Sequence, residues 1–526
     1  MMSLSRRLLC VRPREHPTVY DFAVIGGGSG GMAAAKEAAA LGAKTVVFDY
    51  VRPSAQGTKW GVGGTCVNVG CVPKKLFHYA SLLGESLHDA RTLGWKIDQA
   101  SEWDEFAPKH YEFVWERLVS KVRDLVKKLN FTYKNSLRSA GVTYINSEAA
   151  LSDKEGGVYF SDPISGERIF LRANKILIAT GGRPVLPEIP GAKEFGITSD
   201  DIFTLPKPPG KTLIVGGGYI ATECAGFLRG LGYPVTVAVR SGMSGILKQF
   251  DRQSVEKIVA NMTELGVEWI YGKQPTKLSK KDGKIIVEWN AEETIFDTVL
   301  FATGRTPQTS DLNLPSSSLT SNGKILVENF NNMRVKGMSN VFAVGDVVHG
   351  RPELTPVAVK DGELLARRLF ASSTSSLKDP HLIPTTIFTP TEYGSVGLSE
   401  EAAAAEHKNI EIFLYEWQTL ELAAVHRPKL VKLNEADFEQ NAHNFCKVIV
   451  RKDDDRVIGF HFVGPNAGEV TQGIAVAMRL GLTKQQLDET VGIHPTDAEA
   501  VVNLNITKSS GYNFVAAGGC GGGKCG

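Results

Sequence analysis

Two copies of one glycine pattern constrain this chain more than any other feature. The first follows a strand-like run, Tyr20-Asp21-Phe22-Ala23-Val24-Ile25, and places Gly26, Gly28 and Gly31 in a G-x-G-x-x-G spacing. A helix-favouring run from Met32 to Ala38 comes next, then a second strand-like run, Thr45 to Phe48, that ends at Asp49. Strand, glycine turn, helix and acid in this order predict a dinucleotide fold. The glycines let backbone amides approach a pyrophosphate at a helix N-terminus, and the acid accepts a ribose hydroxyl. The second copy runs from Thr212-Leu213-Ile214-Val215 into Gly216, Gly218 and Ala221, and its second strand, Pro234 to Val239, ends at Arg240. A cation at that place suits a 2′-phosphate. The first site is therefore expected to take a dinucleotide with a free ribose hydroxyl, and the second NADPH. FAD is the natural first occupant, because a hydride donor needs a flavin to reach a dithiol. Beyond Arg240, Lys248 is either a second phosphate contact or a solvated surface lysine.

At 526 residues the chain exceeds what one core sustains and is expected to split into several domains. Its 59 basic and 57 acidic side chains nearly cancel, so no nucleic-acid partner is implied. No uncharged apolar run is long enough to span a bilayer, so no membrane role is expected. The N-terminus carries Arg6, Arg7, Arg12 and Arg14 with no acid before Glu15, and Leu4, Leu8 and Val11 can share a helical face. That composition resembles a mitochondrial transit peptide, with a cytoplasmic extension as the alternative.

Seven cysteines in so long a chain do not make an extracellular disulfide scaffold; they fit particular thiols doing redox work. Cys224 and Cys446 lie in apolar contexts and read as inert core residues. Cys66 and Cys71 form one pair, inside Gly64-Thr65-Cys66-Val67-Asn68-Val69-Gly70-Cys71-Val72-Pro73. Cys520 and Cys525 form another with the same spacing, in a glycine-rich terminus. Two dithiols, one internal and one on a mobile tail, suggest a relay. From Gly511 to Cys520 an extended chain covers roughly 30 Å at about 3.3–3.6 Å per residue.

These motifs resemble the pyridine nucleotide–disulfide oxidoreductases, a family that includes glutathione reductase, lipoamide dehydrogenase and thioredoxin reductase. The resemblance runs from about Tyr20 to near the C-terminus. It rests on the Gly64–Lys75 segment, on Gly216–Ala221, and on Ala179-Thr180-Gly181 and Ala302-Thr303-Gly304. Val344-Gly345-Asp346 and His494-Pro495-Thr496-Asp497-Ala498-Glu499 complete it. The resemblance implies FAD held by the first turn and by Asp346, and NADPH on the Gly216 helix with Tyr219 swinging aside to admit nicotinamide. It implies that Cys71 lies near the flavin ring and Cys66 exchanges, with Lys74 and Glu223 as an ion pair beside the ring. His494 would be the base, oriented by Glu499 and supplied by the partner subunit of a homodimer. Within the family, the tail resembles that of the large type of thioredoxin reductase, so thioredoxin is the implied partner; glutathione disulfide or another disulfide is the alternative. Lys36-Glu37 stands where glutathione reductases carry two arginines, and a glutamate there is expected to repel glutathione. Lys524 is expected to lower the pKa of Cys525.

The fold class expected is α/β: two doubly wound Rossmann-like domains plus an α+β dimerisation domain. Residues 1–18 read as leader, 19–180 and 306–378 as the FAD domain, 181–305 as the NADPH domain, 379–510 as the dimerisation domain, and 511–526 as the redox tail. A helical stretch from Trp115 to Leu129 is expected to pack through Trp115, Leu118, Val122, Leu125 and Leu129.

Overall fold

The computed structural model describes residues 14–96, 113–153, 156–290, 292–375, 380–425 and 444–516. These fall into two compact units. One holds the described residues of Met1–Val72, Arg123–Pro184 and Arg305–Lys378; the other holds those of Pro73–Val122, Val185–Gly304 and Asp379–Gly526.

The first unit is built on five parallel strands in the order Thr143–Ile145, Thr45–Phe48, Tyr20–Ile25, Arg168–Ile178, Val341–Ala343. Thr45–Phe48 is buried throughout and Tyr20–Ile25 nearly so, as expected of parallel strands covered on both faces. The long strand Arg168–Ile178 serves two sheets. Its second half pairs in parallel with Tyr20–Ile25, and its first half pairs antiparallel with Gly157–Ser161, which pairs in turn with Ala149–Leu151. Arg14 and Glu15 also pair with this strand, opposite Ile169 and Phe170, so sheet pairing begins inside the segment read as leader. The helix Ser29–Ala40 packs on Thr355–Ala371 almost backbone to backbone: a Cβ on Gly362 would meet the Gly30 carbonyl at 2.4 Å. On the same helix Ala34, Ala35 and Ala38 are fully buried.

The second unit repeats this plan. Its parallel strands run Val267–Tyr271, Val235–Val239, Thr212–Val215, Thr298–Phe301, Gly196–Ile197, beside an antiparallel trio Lys277–Lys281, Lys284–Glu288, Glu293–Phe296. The same unit carries a five-stranded antiparallel sheet in the order Thr385–Ile387, Tyr393–Gly397, Arg456–Val463, Asn444–Arg451, Ile410–Trp417, with the helix Ala467–Leu480 against it. No helix among the described residues is long and apolar enough to cross a membrane.

Two details differ from the sequence reading. The helix Trp115–Ser139 buries Trp115, Val119 and Val122, while Leu125 is exposed. The buried positions step by four and then three residues and the expected ones by three and then four, so both satisfy the helical period and packing selects Val119. The sequence reading also starts the tail at Gly511, but the structure ties the chain down through Ala516. The Glu416 amide donates to the Phe514 carbonyl at 3.0 Å, and the Ala516 amide donates to the Glu416 carbonyl at 2.8 Å.

The helix Arg252–Glu264 joins the second parallel sheet to the antiparallel one. Asp251 caps it, accepting from the Ser254 amide at 3.0 Å, and is fully buried. Both Asp251 oxygens lie 3.0 Å from Nζ of Lys447, which is also fully buried and lies 2.7 Å from Glu400. Burial pushes the Asp251 carboxyl up, but the charges of His461 and Lys447 and the Ser254 amide overcome this and hold it well below the usual carboxylate range. A folded-state value below the unfolded one gives stability that is full above the unfolded pKa and lost as pH falls toward the folded one. Asp251→Asn keeps a cap but strips Lys447 of one counter-charge, and is expected to cost about 3 kcal/mol. Denaturant unfolding should show that difference in full at neutral pH, narrowing only below about pH 4.

Candidate active site

At the first glycine turn the backbone passes where no side chain fits. Gly26 has φ +114°, and a Cβ there would lie 2.3 Å from the Ala179 carbonyl oxygen. A Cβ on Gly31 would meet the Gly26 carbonyl at 2.0 Å, and one on Gly64 would meet the Gly28 Cα at 2.8 Å. The helix Ser29–Ala40 has no acidic residue in its first turn, so its N-terminal amides are open to an anion. Asp49 accepts from the Gly27 amide at 2.9 Å. Burial raises the Asp49 carboxyl; the Gly27 amide, the Tyr144 hydroxyl and Lys134 oppose that rise.

A cavity of about 380 Å³ opens over this turn. Gly26, Gly28, Asp49, Gly64, Thr65, Cys66, Thr180, Gly181 and Asp346 all line it, although they come from distant parts of the sequence. Burial and then Glu353 raise the Asp346 carboxyl, against Arg305 and Lys324. An anion-ready helix terminus, two abutting glycines and paired acids fit a dinucleotide of the FAD type, with Asp49 and Asp346 holding hydroxyls. The sequence reading missed three cavity residues that form a clasp: Arg52 lies 2.5 Å from Glu148 and 2.8 Å from Asp311. Charged residues in surface loops carry no local signal that would single them out.

The thiol pair owes its closeness to a break in a helix. Cys66 lies in the short helix Gly64–Val69, and Cys71 opens the long helix Cys71–Thr92. In one unbroken helix, residues five apart point roughly 140° away from each other. Gly70 interrupts the run, and a Cβ on it would meet the Thr65 carbonyl at 2.9 Å and the Cys66 Cα at 3.1 Å. The Asn68 side chain donates to the Gly64 carbonyl at 2.8 Å and accepts from Asn130 at 2.9 Å, which fixes the short helix. Cys66 is half-buried and Cys71 exposed. The hydrogen bond to Cys71, then burial, drive the Cys66 thiol far up, while Thr355 pulls it down. Cys71 Sγ lies 3.7 Å from the Thr355 hydroxyl. Thr355 opens a remote helix, and its residue type gave no reason to select it.

In the second unit, Lys74 Nζ lies 2.7 Å from Glu223, with both side chains largely buried. The same Glu223 oxygen accepts the Phe388 amide at 2.9 Å, and Lys74 and Lys75 stand 4.2 and 4.0 Å from the Phe388 ring centre. At the second glycine turn, Gly216 has φ +136° and a Cβ on it would lie 2.3 Å from the Ala302 carbonyl. Gly218 caps the helix Tyr219–Gly230, which again has no acid in its first turn. Ala221 is fully buried and Tyr219 is 43% exposed. Gly304 has φ +133° with open space around it. Arg240 is exposed at the end of its strand, and Lys248 is exposed just after Leu247, whose amide donates to the Gly217 carbonyl at 2.8 Å. An exposed arginine beside such a turn fits NADPH.

His494 Nδ1 lies 3.0 Å from Glu499 Oε2, and the ring is about half exposed. A carboxylate at that distance holds the proton on Nδ1 and leaves Nε2 to accept one. Glu37 is met by Arg367 at 2.6 Å, so its charge is balanced within the fold and the expected repulsion of an anionic peptide loses force. Cys520, Cys525 and Lys524 lie outside the described residues.

Two dinucleotide folds in one chain, with a dithiol at the first, define a flavin-dependent disulfide oxidoreductase. The profile for pyridine nucleotide-disulphide oxidoreductases matches residues 20–362, and the profile for the dimerisation domain of the same family matches residues 383–505. A protein named thioredoxin reductase from Plasmodium falciparum (isolate FCH-5) is 49% identical over 97% of this chain and 93% of its own length. Thioredoxin reductase 2, mitochondrial, of Drosophila melanogaster is 44% identical over 98% of this chain and 96% of its own. Thioredoxin reductase SEP1 of Emiliania huxleyi is 44% identical over 94% and 97%. The chain belongs to the pyridine nucleotide-disulphide oxidoreductase family, and its cofactors are FAD and NADPH.

Because the Gly70 break brings the sulfurs together, Gly70→Ala should force them apart. Disulfide closure in the reduced protein, followed by timed thiol counting, is expected to slow by about tenfold or more.

Proposed function

We propose that this enzyme reduces the disulfide of thioredoxin with electrons from NADPH, through Cys66–Cys71 and then the tail pair Cys520–Cys525. The observation that carries this reading is the Cys66–Cys71 pair, hydrogen-bonded to each other, with Cys66 lining the cavity over the first phosphate turn. The relatives' names supply the substrate.

Bound FAD would supply the two-electron step between a nicotinamide hydride and a disulfide. Gly26, Gly28 and Gly31 would receive its pyrophosphate and Asp49 and Asp346 its hydroxyls, with Gly64, Thr65, Thr180 and Gly181 lining the same cavity. Gly216, Gly218, Ala221 and Gly304 would shape the NADPH site; Arg240 would take the 2′-phosphate, and Lys248 is either a second contact or solvated. Tyr219 stands exposed at the head of its helix, where the resemblance has it swing aside to admit nicotinamide. Lys74, held by Glu223, places a buried cation three residues past Cys71 in the same helix, where it can balance developing negative charge. The resemblance gives Cys71 the position facing the flavin and Cys66 the exchange with the tail disulfide. His494 accepts the thiol proton at Nε2, oriented by Glu499. The dimerisation-domain match supports a homodimer, in which this pair serves the other subunit. Lys524 favours the Cys525 thiolate.

A tail is useful because a folded protein cannot bring its disulfide to a half-buried sulfur. The second reading, reduction of glutathione disulfide, draws support from the neutralised Glu37. For location we propose mitochondria, as the Drosophila relative's name suggests, with cytoplasm as the alternative. A fluorescent protein fused behind residues 1–18 should then collect in mitochondria; diffuse signal would favour the cytoplasm.

Turnover of thioredoxin, glutathione disulfide and a small quinone by the wild type and two variants tests the main reading. Cys525→Ser is expected to lower thioredoxin turnover about a hundredfold or more while sparing the quinone, and Cys71→Ser to abolish disulfide reduction altogether. Normal thioredoxin turnover by Cys525→Ser would remove the tail from the reaction. Glutathione disulfide reduced equally by wild type and Cys525→Ser would favour the second reading.

A further inference from the structure

The C-terminal arm has an anchor, and one residue holds it from two sides. Glu416 lies in the edge strand Ile410–Trp417. Its backbone grips the chain just before the arm: the Glu416 amide donates to the Phe514 carbonyl at 3.0 Å, and the Ala516 amide donates to the Glu416 carbonyl at 2.8 Å. Phe514 also packs against Phe445 at 6.5 Å between ring centres, and Ala516 rests on the core of the antiparallel sheet. The Glu416 side chain is fully buried and meets Lys257 Nζ at 2.8 Å through Oε1 and 2.7 Å through Oε2.

Lys257 lies on the helix Arg252–Glu264. That helix is indexed to the second phosphate turn. Arg252 donates to the Ile246 and Leu247 carbonyls at 2.9 and 2.8 Å, and the Leu247 amide donates to the Gly217 carbonyl at 2.8 Å. A buried glutamate with a buried lysine is costly to desolvate and gives little net stability. What it does give is a fixed geometry, since neither charge can leave the other.

We propose that Glu416 is a positioning residue for electron transfer, fixing with Lys257 the point from which the tail dithiol reaches. This rests on the tail reading given above. The anchor shortens the reach. From Ala516, four residues to Cys520 span at most roughly 14 Å and nine to Cys525 roughly 32 Å, at about 3.3–3.6 Å per residue. An arm that short tolerates little drift at its root, so a displaced root costs turnover while substrate recognition stays intact.

Two substitutions in the full-length holoenzyme separate the two grips. Glu416→Gln removes the charge that holds Lys257. Ala516→Pro removes the amide that holds the arm and leaves the ion pair in place. Both are expected to keep NADPH-driven quinone reduction and the thioredoxin KM within about twofold of wild type, and to lower the thioredoxin kcat about tenfold. Hydrogen exchange across residues 512–516 should quicken in both. The proposal is overturned if either variant reduces thioredoxin at the wild-type kcat, or if the loss lies in KM alone. Should Glu416→Gln fail to fold, Ala516→Pro decides by itself. If the wild-type protein does not turn over thioredoxin, the functional reading fails on its own, and the anchor is then judged by exchange: unchanged protection of 512–516 in Glu416→Gln would sink it.

Discussion

Everything in this protein is arranged around two places where backbone meets backbone too closely for any side chain. At Gly26 and again at Gly216, a Cβ would stand 2.3 Å from a carbonyl oxygen, of Ala179 in one case and Ala302 in the other. That contact brings the end of a central strand against an Ala-Thr-Gly segment. It sets where the following helix starts, and it leaves amides rather than side chains facing the ligand. The two turns differ at the third small residue. A Cβ on Gly31 would lie 2.0 Å from the Gly26 carbonyl oxygen, whereas the second copy accommodates Ala221 in full burial. One steric rule, applied twice, gives one chain two nucleotide sites.

Redox chemistry is added by a different local device. Cys66 and Cys71 stand five apart, a spacing that a regular helix would waste by pointing them in different directions. The break at Gly70 and the Asn68–Asn130 clamp turn that spacing into a hydrogen-bonded pair beside the first turn. Lys74 follows on the long helix, and Glu223, from the helix that opens at the second turn, neutralises it.

What was legible in the sequence had a local steric or electrostatic cause. The glycines, the buried strands, Asp49 and Arg240 at strand ends, and the cysteine spacing all announce themselves within a few residues. What was not legible depends on partners far along the chain. Lys447 meets Asp251 across nearly the whole second unit, and Glu37 finds Arg367 from the other end of its own. Thr355 gains its place near Cys71 only through folding. On the Trp115–Ser139 helix the buried stripe takes Val119 in place of Leu118 and leaves Leu125 exposed, since adjacent apolar residues satisfy a helical pattern almost equally and packing decides between them. The end of the chain was misjudged for a similar reason: nothing in Phe514-Val515-Ala516 reveals that Glu416 offers it a strand edge.

The central claim is that NADPH electrons reach both sulfur pairs. Differential alkylation and mass spectrometry of the intact oxidised protein, before and after anaerobic addition of excess NADPH, reads this directly. The account predicts new label on Cys66, Cys71, Cys520 and Cys525, with Cys224 and Cys446 unchanged. New label confined to Cys66 and Cys71, with the terminal pair staying oxidised, would contradict it.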